Sequence, residues 1–158
     1  MIKLFISDVD GVLTDGSMYY TETGDEMKRF NTYDGMAFML LKERGIKTAI
    51  ITSEKTRIVA NRAKKLNIDF VVQGVYGMNK LNVAKKICKE NNIPFESASY
   101  IGDDLNCFEL LNSIKNKACP LNAVNKIKNI DGILHLKTKG GDGAVREYVE
   151  YLIKNKLI

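Results

Sequence analysis

The chain has 158 residues, 45% apolar and 27% charged, which suits one globular domain with a single core. It holds no run of the ~18 apolar residues that a membrane-spanning helix needs, so no membrane partner is expected. The net charge of +5 raises a nucleic-acid partner, but the lysines are scattered (KERGIK, NRAKKL, AKKICKEN, NAVNKIKN) with no stripe interleaved with aromatics, which argues against one.

In chain order, KLFISD (3–8) is a predicted strand, and its opening MIKLFISDVD lacks the apolar region of a signal peptide, so the expected location is cytoplasmic. Segment 16–30 has two β-prone arms, SMYYT and EMKRF, around Thr23-Gly24-Asp25, and predicts a projecting hairpin. A helix follows from about Asp34 to Arg44, with Asp34 as its expected N-cap and Gly45 as its stop. Strand IKTAIIT (46–52) precedes a helix over about Lys55–Leu66, whose apolar positions include Ile58, Val59, Ala63 and Leu66. Strand FVVQG (70–74) leads to a helix over about Asn79–Asn91 that buries Leu81, Ala84, Ile87 and Cys88. After strand ASYIGD (98–103) come a helix over about Leu105–Asn112, strand NKACPL (116–121), a short helix Ala123–Lys128 and strand GILHL (132–136). KGGDG (139–143) reads as a flexible joint before a last helix over Ala144–Lys154. Strands alternating with helices imply an α/β domain over 1–158: a doubly wound, Rossmann-like parallel sheet with helices on both faces.

Cys88, Cys107 and Cys119 show no CxxC spacing and read as buried reduced thiols, and one histidine, His135, excludes chemistry built on several. The informative residues lie where strands end, because ligands in open parallel sheets gather beyond the carboxyl ends of the strands. The first strand delivers Asp8 and Asp10, the second Thr52 and Ser53, and the fourth Asp103 and Asp104, while Lys80 opens the helix after the third. Carboxylates so crowded need a cation, and oxygen-only ligands suit Mg²⁺. The pattern predicts magnesium-dependent phosphoryl transfer. Asp8 is the expected nucleophile and Asp10 the acid/base. Thr52, Ser53 and Lys80 are expected to bind phosphate; Asp8, Asp103 and the main-chain carbonyl of Asp10 to hold the metal; and Asp104 to orient the site from behind.

DVDGVLTDG, ITS, Lys80 and GDDLN resemble the four motifs of the haloacid dehalogenase superfamily of aspartate-nucleophile phosphatases. FNTYDG (30–35), QG (73–74), GGDGAVRE (140–147) and the missing large cap domain are similar to its compact group acting on 3-deoxy-octulosonate 8-phosphate and 2-keto-3-deoxynononate 9-phosphate. The resemblance implies a homotetramer in which the hairpin of one subunit covers a neighbour's pocket in place of a cap domain. It also implies a sugar-acid phosphate substrate, with Asn31, Asp34, Glu54 and Arg62 as substrate contacts. Octulosonate enzymes of the group tend to read TGRK after the second strand; here TSEKT puts Glu54 in place of that arginine, which favours the nononate branch. Cys107 stands where many relatives carry another aspartate.

Structural alternatives accompany these roles. Asp15 reads as a partner at the hairpin base, Ser53 and Asp34 as helix caps, Glu54 as a first-turn acid, and Arg62 and Arg146 as surface arginines. Two rival functions share parts of the pattern. A receiver-type signalling domain carries its phospho-accepting Asp on the third strand, whereas here the DxD follows the first. An idle oligomerisation module attached to a sugar-nucleotide synthetase has no need of the intact set Asp8, Asp10, Thr52, Lys80 and Asp103.

Overall fold

The computed structural model describes residues 1–158. All six predicted strands form. They are β1 (Leu4–Ser7), β4 (Lys47–Ile51), β5 (Phe70–Val72), β6 (Ala98–Ile101), β7 (Asn116–Cys119) and β8 (Leu134–His135), joined as one parallel sheet in the order β5-β4-β1-β6-β7-β8. The two arms of segment 16–30 form a separate antiparallel pair, β2 (Tyr19–Tyr20) and β3 (Glu26–Met27), with Tyr19 opposite Met27. Six helices complete the chain: α1 (Thr32–Glu43), α2 (Arg57–Lys65), α3 (Met78–Glu90), α4 (Phe108–Ser113), α5 (Asn125–Lys128) and α6 (Ala144–Lys154). None is long and apolar enough to cross a membrane.

β1 is central because all four of its residues are buried, and its two-residue period feeds two cores. Phe5 faces α1, α2 and α6 through Phe38, Leu41, Val59, Tyr148 and Val149. Leu4 and Ile6 face α3, α4 and α5 through Leu81, Ala84, Leu110, Leu111 and Ile127. Strand order reverses direction at β1, whose neighbours are β4 on one side and β6 on the other. The crevice beyond the carboxyl ends of β1 and β6 is therefore the place where a doubly wound sheet leaves room for a ligand.

Three expectations need correction. Asp34 does not cap α1: Asn31 does, accepting from the Tyr33 amide at 2.8 Å, so the helix starts two residues earlier. Asp34 instead turns, buried, to α6, whose first residue follows Gly143 with no side-chain cap of its own, and accepts from the Arg146 amide at 3.0 Å. One helix thus caps another, and α1 and α6 are locked at that end. α2 starts at Arg57 rather than Lys55, capped by Thr56, because Gln73 holds the Thr56 amide at 2.9 Å and keeps the preceding loop extended. The glycines at 139–143 are not a flexible joint. Gly140 and Gly141 are buried against the loop after β1, where a Cβ on either would overlap the backbone of Gly11 or Asp15. Asn122 ties the two segments, donating to Gly11 O at 3.0 Å and accepting from the Gly140 amide at 2.7 Å.

Candidate active site

At the carboxyl ends of β1, β4 and β6 lies a cavity of about 300 Å³ lined by Asp8, Asp10, Gly11, Gly16, Met18, Thr52, Ser53, Glu54, Tyr76, Asp103, Asp104 and Asn106. Each strand places its acid or hydroxyl by simple continuation. Asp8 follows Ser7 and its amide still pairs with Ile101 O at 3.1 Å, so β1 and β6 stay in register up to the rim. Thr52 is held by both its backbone groups, the amide on Val72 O at 3.0 Å and the carbonyl by the Val75 amide at 3.1 Å. Asp104 caps a one-turn 3-10 helix, Leu105–Cys107, which precedes α4 where one continuous helix was expected.

Asp8 is the best-anchored acid. Its Oδ1 accepts from the Val9 amide at 2.8 Å, and its Oδ2 from Lys80 Nζ at 2.7 Å and Cys107 Sγ at 2.8 Å. Lys80 is wholly buried; burial pulls its pKa down, but the adjacent Asp8 charge outweighs that and the net shift is upward, so the ammonium stays charged. Burial and the Asp8 charge push the Cys107 thiol well up, so it stands beside Asp8 as a neutral donor. Cys107 is buried, as expected, and its thiol stands against Asp8, at the position where many relatives carry another aspartate.

Asp10 lines the cavity and accepts from Lys28 Nζ at 2.7 Å, a lysine delivered by the hairpin. Lys28 also forms an ion pair with Glu26 at 3.0 Å; burial lowers its pKa, but the two neighbouring carboxylates more than compensate. Sequence reasoning missed Lys28, and the signal for it was the alternation in EMKRF. Ser53 donates to Val75 O at 3.1 Å and accepts from Asn106 Nδ2 at 2.7 Å, so it does not cap α2. Glu54 lies ahead of the first turn of α2 and faces the cavity. Asp15 binds at the hairpin base, as expected of a structural partner: it accepts from the Ser17 amide at 2.9 Å and Tyr19 OH at 2.7 Å.

Asn31, Asp34 and Arg62, expected to contact substrate, do not line this cavity. Their polar atoms are engaged elsewhere. Besides capping α1, Asn31 donates to Gly141 O at 3.2 Å; Asp34 caps α6; Arg62 donates to Asn31 O at 3.0 Å and lies over the Phe30 ring, 5.4 Å from its centroid. Arg146 pairs with Glu150 at 2.7 Å along α6.

The acids fit a hard cation. The nearest ligand atoms of Asp8, Asp103 and Cys107 lie within 4.8 Å of one another, and the neutral thiol leaves the two carboxylates as the hard donors. Burial, then the Asp8 and Asp104 charges, push the Asp103 carboxyl up to about 8, the signature of a carboxylate short of positive charge. Gly11, at φ +78°, leaves the space beside Asp103 open; a Cβ there would overlap the carboxylate.

The sequence profile of the haloacid dehalogenase-like hydrolases matches residues 5–111. Over 96% of its length the chain is 35% identical to 3-deoxy-D-manno-octulosonate 8-phosphate phosphatase KdsC of Salmonella typhi, of which it spans 79%. This chain belongs to the haloacid dehalogenase-like hydrolases. It is accordingly an enzyme of the phosphoric monoester hydrolase class. Among solved members of the family, the fold matches the octulosonate 8-phosphate phosphatase of Moraxella catarrhalis, crystallised with magnesium, phosphate and KDO. The TM-score is 0.90 at 35% identity, over 97% of this chain and 86% of that one. The cobalt-bound phosphatase of Haemophilus influenzae matches at TM-score 0.89 and 29% identity, over 97% and 88%.

Proposed function

We propose that this enzyme hydrolyses the terminal phosphate of 3-deoxy-D-manno-octulosonate 8-phosphate, with Mg²⁺, through an aspartyl-phosphate on Asp8. The observation that carries the reading is the convergence of Asp8, Asp10, Thr52 and Asp103 on one cavity, with Lys80 in contact with Asp8. Oδ2 of Asp8 is occupied by Lys80 and Cys107, so Oδ1, held by one amide, is the oxygen that bonds to phosphorus. As that bond forms, the ester P–O bond breaks and Asp10 gives its proton to the departing alkoxide. Asp10 then takes a proton from water, whose oxygen bonds to phosphorus while the bond to Asp8 breaks and inorganic phosphate leaves. Thr52 and Ser53, which line the cavity, hold the phosphoryl oxygens through this exchange, while Lys80, expected to bind phosphate, sits behind Asp8 and steadies its charge instead.

Asp8, Asp103 and the carbonyl of Asp10 would hold Mg²⁺, with Asp104 orienting them; the ion would supply the positive charge that offsets the clustered acids and the incoming phosphate. The cavity is lined by five carboxylates and no lysine or arginine, so an anionic substrate needs that charge. A homotetramer joined through the hairpins, with Tyr20 and Met27 each 62% exposed on them, would bring further cations to the sugar carboxylate from a neighbour. Three buried, unpaired cysteines support a reducing compartment, the cytoplasm.

A second reading, 2-keto-3-deoxynononate 9-phosphate, is favoured by one observation: Glu54 faces the cavity where an arginine would suit the shorter acid. Comparing kcat/KM on the two phosphates side by side tests both. Preference for the eight-carbon ester supports the first reading, preference for the nine-carbon ester the second, and no turnover of either rejects the substrate class.

A further inference from the structure

In the segment Glu26-Met27-Lys28-Arg29-Phe30, alternate side chains take opposite sides, as an extended chain requires. Met27 and Arg29 reach solvent, while Phe30 packs on the core and the Lys28 side chain is only 1% exposed. A lysine withdrawn from water persists where carboxylates face it. Here two do: Asp10 Oδ1 at 2.7 Å and Glu26 Oε1 at 3.0 Å, the latter two residues back on the same side of the hairpin. Oδ2 of Asp10 has no hydrogen bond within the chain, and Asp10 lines the cavity. One oxygen is thus gripped by the hairpin and the other is left for the reaction.

We propose that Lys28 is a positioning residue that fixes the Asp10 carboxyl in its working orientation, with Glu26 bracing Lys28. This makes the hairpin a part of the reaction apparatus of its own subunit, apart from any cover it gives a neighbour. Other anchors fix the base of the hairpin independently: Tyr19 with Asp15, Arg29 with Asp142, and the antiparallel bridge of Thr14 with Phe30. Loss of Lys28 therefore frees Asp10 while leaving the hairpin attached. The proposal rests on the reading of Asp10 as acid/base.

The test compares a substrate whose leaving group needs a proton with one whose leaving group does not. For Lys28→Met, kcat/KM on 3-deoxy-D-manno-octulosonate 8-phosphate falls about tenfold to a hundredfold, the scale of a misaimed catalytic group. On p-nitrophenyl phosphate, whose phenolate leaves without a proton, the fall stays below about threefold. Lys28→Arg recovers most of the loss, and Lys28→Met adds little to Asp10→Asn in the double variant. Equal losses on both substrates, no loss on either, or full additivity with Asp10→Asn would overturn the proposal. Should Asp10→Asn itself fail to discriminate between the two substrates, the acid/base reading falls first. If Lys28→Met does not fold by thermal melting, Glu26→Gln, which loosens Lys28 but keeps it, must show the same selectivity in weaker form.

Discussion

Gly11 and Asp103 meet so closely that a single methyl group would part them, since a Cβ at position 11 would occupy the space of the carboxylate. Gly11→Ala is expected to raise the Mg²⁺ concentration for half-maximal activity by about tenfold or more, because ligand placement tolerates little displacement; an unchanged Mg²⁺ titration contradicts the cradle. Asp10→Asn should lower kcat/KM on the sugar phosphate by roughly 10²–10⁴-fold, the usual worth of a general acid, and wild-type rates in that variant would remove Asp10 from the reaction. At this scale the convergence of Asp8, Asp10, Thr52 and Asp103 on one rim was legible because strand-end position constrains where they lie, and Lys80 reaches Asp8 from α3. Lys28 and Cys107 were not legible: a lysine among 24 basic residues and a cysteine among three carry no mark in the sequence of which acid they face. Asn31, Asp34 and Arg62 carry no such mark either: they are polar residues near the motif whose partners within the chain are backbone groups.

α1 and α6 are coupled through one carboxylate, and that coupling depends on pH. Burial pushes the Asp34 carboxyl up to about 6 from an ordinary 3.8, ahead of the opposing hydrogen bonds from the α6 amides. A raised acid pKa in the folded state means that its stabilisation is complete below about pH 4 and is lost as pH rises through about 6. Wild-type Tm should therefore fall between those values by more than the Tm of Asp34→Asn, measured by thermal melting; parallel curves would contradict the assignment. Gly140→Ala should destabilise the fold by about 1–3 kcal/mol in urea titrations, as overpacking does, and should also slow turnover by pushing on the loop that carries Asp10. The six strands and six of the helical segments were readable from period and punctuation. The Gly-rich stretch was misread because glycine serves mobility and close approach alike, and only tertiary contact distinguishes them.

For the whole molecule, the doubly wound topology puts the reversal of strand order between β1 and β6, and the acids lie at that switch point. The class of chemistry was therefore legible from one sequence, while the sugar was not: the cavity is lined by five carboxylates and by no lysine or arginine that would mark a particular sugar acid. A hairpin-joined assembly should sediment as a tetramer, and Met27→Lys with Tyr20→Lys should yield smaller species; a wild-type monomer at high concentration contradicts that assembly. The claim on which the chemistry turns is a phosphoryl group carried by Asp8. Acid-quenching the enzyme early in turnover and mapping its peptides by mass spectrometry should find one phosphoryl group on Asp8, absent from Asp8→Asn, which turns over no substrate. Sustained turnover by Asp8→Asn, or an adduct on any other side chain, would contradict it.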